Sequence, residues 1–155
     1  MSNYKHQEFE FIQRTKSIIE QYDNFQIPGK SKFEVTLLLN CLVGLIILPQ
    51  QHWFNSLPKE LISKKVWGIS ELHISFIKIG ETKNVKAIAT HIRNSISHCK
   101  FKVFGNSKKQ INRIKFLDFN LQGVKTFEAT IPLSCFKVFV NKFSLAFTAE
   151  MTNQK

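Results

Sequence analysis

The chain has 155 residues, 43% of them hydrophobic and 21% charged, the length of one ordinary domain with the balance of a soluble globular protein. That excludes a disordered tail, a fibrous repeat and two independent domains joined by a linker. Twenty-two Lys and Arg against eleven Asp and Glu leave a formal net charge of +11, so the expected partner is polyanionic, either nucleic acid or an anionic membrane surface.

Residues Glu8 to Tyr22 place Phe9, Ile12, Ile19 and Tyr22 at helical spacing among polar positions, which predicts a first amphipathic helix. Met1 to Arg14 has no uninterrupted apolar stretch behind a basic start, so no cleaved secretory signal and a cytoplasmic location are expected. Pro28-Gly29 marks a turn, and Ser31-Lys32-Phe33-Glu34 matches a capping box that opens a second helix over Lys32 to Leu48, stopped by Pro49. Its apolar stretch, Val35 to Leu48, would span about 21 Å, short of the ~30 Å hydrocarbon core. Thr36, Asn40 and Gly44 interrupt it every four residues, as expected of a close helix contact with a satisfied buried amide, and because the phenylalanines fall at core spacing instead of forming a cationic amphipathic surface helix, no membrane partner is expected.

From Gln50 to Lys83 the periodicity weakens, broken by Pro58, Gly68 and Gly80. This predicts an irregular crossover with one short helix at Lys59 to Val66, anchored by Trp53, Phe54, Trp67 and Phe76. From Asn84 the helical period returns, with Val85, Ile88, Ala89, Ile92, Ile96 and Cys99 on one stripe of a third helix. Phe101 to Phe104 and Ile111 to Phe119, joined by Gly105 to Gln110, predict a two-stranded hairpin. A last helix is expected over Thr130 to Ala149, with Pro132 in its first turn and Phe136, Phe139, Val140, Phe143 and Phe147 buried. The fold expected is therefore mainly α: a four-helix, up-and-down-type bundle, a single domain over 1–155, with a long crossover after the second helix and a small β-hairpin before the last.

Cys41, Cys99 and Cys135 are odd in number and lack Cys-x-x-Cys spacing, so they predict neither a disulfide framework nor a zinc site, but small buried residues in a reducing compartment. No His-x-x-x-His or acidic cluster with ligand spacing occurs, and no metal or other cofactor is expected.

The segment that carries chemistry is His91-Ile92-Arg93-Asn94-Ser95-Ile96-Ser97-His98, beside the apolar stripe of the third helix. Its spacing alone is weak, because charged residues on the outer face of an amphipathic helix need no function. Arg93, four intervening residues and His98, late in an apolar-striped helix, resemble the motif of the HEPN superfamily (higher eukaryotes and prokaryotes nucleotide-binding). Phe33 to Leu42 followed by Leu48-Pro49, together with Ile92 to His98, look like one bacterial and plasmid-borne HEPN family, and the likeness runs from about Phe9 to Phe147. It implies a metal-independent endoribonuclease that acts on RNA as a dimer through the motif Arg and His. It further implies a toxin or defence effector, with an antitoxin or defence-system partner. The alternative is a non-catalytic HEPN module that binds a nucleotide, RNA or a protein.

The implied chemistry is physically reasonable. RNA brings its own 2′-hydroxyl nucleophile, so the protein needs a group that moves a proton near neutral pH and a fixed positive charge on the phosphate. His98 suits the first role and Arg93 the second. Five residues are about 140° apart around a helix, so either the helix ends or deforms near His98, or the site combines residues of two subunits of a homodimer. Asn94 and Ser97 are candidates to orient His98 or bind a phosphate oxygen, and are equally well read as surface polar residues or a helix-end cap. His91 is a candidate to extend the phosphate site, with an incidental exposed histidine the stronger reading. Lys100, Lys102, Lys108, Lys109, Arg113 and Lys115 cluster on and around the hairpin and are expected to bind RNA backbone, although lysines on a strand edge also serve solubility. Phe101 and Phe104 are candidates for base stacking, with packing of the hairpin core the stronger expectation.

Overall fold

The computed structural model describes residues 7–25, 34–42, 57–63, 67–105 and 111–153. They fall into two compact units, one from 1–56 and 144–155, the other from Leu57–Phe143.

In the first unit, helix α1 (Gln7–Asn24) packs with α2 (Glu34–Leu42). Ile12, Leu38 and Leu42 are buried, and the buried Thr15 hydroxyl donates to the Phe11 carbonyl at 2.7 Å. Thr36 and Asn40 are exposed, which corrects the expected buried amide. Two residues are about 200° of helix, so the side that buries Leu38 and Leu42 turns Thr36 and Asn40 outward. Ser31 of the expected cap, Gly44, Trp53 and Phe54 lie outside the described residues.

The second unit is a four-stranded antiparallel sheet, and this overturns the mainly α bundle. Strands β1 (Ile74–Ile77), β2 (Phe101–Gly105), β3 (Ile111–Phe119) and β4 (Lys125–Pro132) are ordered β1-β4-β3-β2. Helix α3 (Val85–Ser97) links β1 to β2. Helix α4 (Leu133–Asn153) follows β4, its first part to Phe143 belonging to this unit. Thr126 to Ile131 alternates polar and apolar residues, the period of a half-buried strand. Thr130 to Pro132 therefore end β4, and α4 begins only at Leu133. Pro132, which has no N–H to donate, is the last residue of the strand. The described part of the expected short helix, residues 59–63, is not helical. Over the described part of that segment, Leu61 makes an isolated antiparallel bridge with Asn84, and a 3₁₀ turn at Glu71–His73 leads into β1.

Period-2 alternation gives the sheet an inner and an outer face. Ile114 and Phe116 of β3 and Phe127, Ala129 and Ile131 of β4 point inward and are buried. Phe136 of α4 meets Phe116 at 5.0 Å between ring centroids, so α4 covers the same face as α3, which packs on β3. Trp67 anchors the crossover as expected: it is buried, donates Nε1–H to Glu60 at 2.8 Å and lies 6.3 Å from the Phe139 ring. Phe76 does not; its ring is exposed on the outer face of β1, because its partner in register is the outward Glu128.

On that outer face Glu128 takes Lys115 Nζ at 2.6 Å and Lys125 Nζ at 2.7 Å. Hydrogen bonds from these two lysines hold its carboxyl at about 2, against an ordinary 4.5. A lowered carboxyl contributes stability that is complete above its unfolded value and is lost as pH falls through the folded one. Glu128 should therefore steepen the loss of stability between about pH 4.5 and about pH 2. Glu128→Gln is expected to flatten that limb in denaturation curves taken across the window. An unchanged slope would mean that the two lysines do not act on the carboxyl.

Candidate functional site

Asn84 caps α3, its side-chain oxygen accepting from the Ala87 amide at 2.8 Å, as expected for an Asn at this position. Val85, Ile88, Ala89 and Ile92 face the core. The helix stops at Ser97, and its end closes as a Schellman turn. The Cys99 amide donates to the Ile96 carbonyl at 3.1 Å and the Lys100 amide to the Ser95 carbonyl at 2.7 Å, with Cys99 at φ +52° in the place usually taken by Gly. Cys99 is therefore exposed rather than part of the apolar stripe, and Cys41 and Cys135 are only half-buried, so none of the three is the buried thiol expected. Burial nevertheless pushes the Cys41 thiol up from its ordinary value.

His98 is the C-cap of α3 and is exposed. Of the two geometric alternatives raised by the Arg93–His98 spacing, the ending of the helix is the one seen within this chain. Arg93 is half-buried, and its Nε and Nη2 both donate to Asn94 Oδ1, at 3.2 and 2.8 Å. Asn94 in turn donates Nδ2–H to Asp118 Oδ2 at 3.0 Å. Asn94 thus orients Arg93 with its side chain, while its backbone carbonyl accepts from the His98 amide at 3.0 Å. Ser97 is exposed.

Asp118 extends the chain of contacts inward. His91 Nδ1 lies 2.8 Å from Asp118 Oδ2, His91 Nε2 lies 3.1 Å from Glu81 Oε2, and the imidazole stacks on Phe127 at 4.7 Å and 4°. His91 is 6% exposed, which overturns its reading as an incidental surface histidine. Burial pushes the Asp118 carboxyl up. Hydrogen bonds from His91 and Asn94, attraction to the His91 ring and the Phe119 amide outweigh that, and hold it below its ordinary 3.8. The result is a continuous path from Glu81 through His91, Asp118 and Asn94 to the Arg93 guanidinium.

Two signals for this path lie in the sequence. His91 falls with Ile88, Ile92 and Ser95 on the buried side of α3, at i+3, i+4 and i+7 spacing. Asp118 continues the inward alternation of Ile114 and Phe116. Nothing local marks Glu81, which reaches His91 from the loop before α3.

The expected RNA-binding residues divide between two places. Lys100 is exposed just past the motif, with its carbonyl accepting from the Leu117 amide at 2.9 Å. Lys102, Arg113 and Lys115 lie on the outer face of the sheet, opposite the face covered by α3: Lys102 pairs in register with Lys115, and Phe104 with Arg113. Phe101, in register with the inward Phe116, belongs to the inner face. Lys108 and Lys109 lie outside the described residues. Among the described residues, no group of three His, Cys, Asp or Glu is placed to hold a metal ion, and no helix is long and apolar enough to cross a membrane.

A family model described as HEPN pEK499 p136 matches residues 1–154. No curated protein and no solved structure gives a significant match.

Proposed function

Since this chain belongs to the HEPN family described as pEK499 p136, we propose that residues 1–155 act as one HEPN-type domain, a metal-independent endoribonuclease working as a homodimer. The observation that best supports this reading is the end of α3 at Ser97, which leaves His98 exposed one residue beyond the helix while Asn94 holds Arg93 a turn earlier.

In this mechanism His98 removes the proton of the 2′-hydroxyl, whose oxygen attacks the adjacent phosphorus. Arg93 holds the phosphate oxygens as negative charge builds. The bond from phosphorus to the 5′-oxygen breaks, and that oxygen takes a proton from the protonated His98 of the second copy. The products are a 2′,3′-cyclic phosphate and a 5′-hydroxyl. Asn94 holds Arg93 in place, and Lys100, exposed two residues beyond His98, takes the next phosphate in this reading. Such an activity suits a cytoplasmic toxin or defence effector restrained by a partner protein.

The test is cleavage of a mixed RNA pool in EDTA by wild type, Arg93→Ala and His98→Ala, with folding and dimerisation measured alongside. Wild type is expected to cut, leaving cyclic phosphate ends, and both folded variants to lose the cut. Wild type that binds RNA and never cuts it overturns the nuclease reading in favour of a binding module. Cutting abolished by EDTA overturns the metal-independent mechanism.

A further inference from the structure

The outer face of the sheet has four strands, none of the described helices of its own unit packed against it, and side chains suited to unpaired bases. We infer that this face is a binding platform for single-stranded RNA, with bases stacked on Phe104 and Phe76 and phosphates held by Lys102, Arg113, Lys115 and Lys125. The inference rests on the proposed action on RNA and adds the strandedness of the substrate and where it lies.

Three observations carry it. First, the outward residues set four cations, Lys102, Arg113, Lys115 and Lys125, against one carboxylate, Glu128. Lys102 and Arg113 have no carboxylate partner among the described residues, and Lys102 stands directly opposite Lys115 in the ladder. Like charges in that position cost stability, which is relieved when a polyanion lies across them. Second, Phe76 and Phe104 are among the large apolar side chains left exposed, at 37% and 38%. Each lies beneath a cation, Lys125 at 5.2 Å and Arg113 at 6.0 Å from the ring centroid. A guanidinium or ammonium beside an aromatic face is the arrangement that accepts a base and its phosphate together. Third, the chain leads from the motif to the platform, because His98, Lys100 and Lys102 follow one another from the end of α3 onto the edge strand β2.

A sheet face cannot enter the deep, narrow major groove of an RNA duplex, and stacking on side chains needs bases that are already unstacked. The ligand class is therefore a single strand. Glu128 occupies two of the four cations, so it limits the affinity of the face, and removing its charge should strengthen binding.

The experiment is fluorescence anisotropy of the full chain with an unstructured 2′-O-methyl oligonucleotide, which has no free 2′-hydroxyl and so cannot be cut, and with the corresponding duplex, in EDTA over a range of salt. The single strand is expected to bind more tightly than the duplex. Phe104→Ala should weaken it about tenfold, Phe76→Ala by less, within the range of one stacked base. The double variant Lys102→Ala/Arg113→Ala should weaken it and lower the salt slope by about 1.4. Glu128→Gln should tighten it, an outcome that a misfolded protein would not give. Folded variants that all bind as wild type does, or equal affinity for duplex, would overturn the platform. This failure is separate from that of the nuclease: binding as described without cleavage by wild type removes the nuclease alone, and cleavage with unaltered binding by the platform variants removes the platform alone.

Discussion

Asp118→Ala is expected to lose about 2–6 kcal/mol of stability, the cost of leaving the buried His91 ring and the Asn94 amide without their shared acceptor at about 1–3 kcal/mol each, out of the total of about 5–15 kcal/mol usual for a domain. The carboxylate accepts from His91, Asn94 and the Phe119 amide. Its removal leaves a buried imidazole facing no acceptor at Nδ1 and frees the Asn94 amide that orients Arg93. Asp118→Asn keeps the shape and an oxygen for Phe119, but turns one donor toward another, and is expected to cost about 1–3 kcal/mol. Chemical denaturation at neutral pH measures both, and an Asp118→Ala variant that unfolds at the wild-type denaturant concentration would show that the buried path holds nothing together.

The pH dependence has a defined sign. Asp118 is held below its ordinary 3.8, so its contribution is complete above that value and is lost as pH falls through the lower folded one. Asp118→Asn should remove that part of the acid limb. In RNA cleavage, the folded Asp118→Asn variant should lower kcat more than it raises KM, because Arg93 would be present but less firmly placed for the charge that develops on phosphate.

Gly68→Ala is the second large loss expected. Gly68 has φ +78°, and a Cβ there would lie 2.7 Å from the Cys135 carbonyl oxygen and 2.8 Å from Val138 Cβ. The left-handed backbone costs an L-residue about 1–2 kcal/mol and the forced shift of α4 about 1–3 kcal/mol, so a loss of about 2–5 kcal/mol should appear in denaturant unfolding. Gly123→Ala is the control: its φ is +76° and nothing lies within 4 Å of the added carbon, so only the backbone part should remain. Equal losses at the two positions would show that the close approach to α4 is not tight.

Periodicity located α1, α3 and the hairpin of β2 and β3, because each is marked within its own residues: apolar positions at helical spacing, or two β-prone runs around a turn. The motif was legible in the same way, since Arg93 and His98 lie on one short segment. Local signals failed where the structure depends on partners distant in sequence. β1 is four residues without clear alternation, and is a strand because β4 offers it an edge 50 to 55 residues away in the chain. β4 does alternate, but Pro132 and the phenylalanines after it also suit a helix start, and pairing with β3 decides for the strand up to Pro132.

The same division applies to the site. By itself the sequence determined a basic chain with an Arg and a His five residues apart at the end of an amphipathic helix, because composition and helical spacing are local properties. Only the tertiary structure decided that His91 is buried between Glu81 and Asp118 and that Asn94 serves Arg93. It also decided that Lys102 and Arg113 share the outer sheet face with Phe76. A buried ionisable side chain requires partners for its polar atoms, and those partners come from the loop before α3 and from strand β3, which only folding brings to the helix.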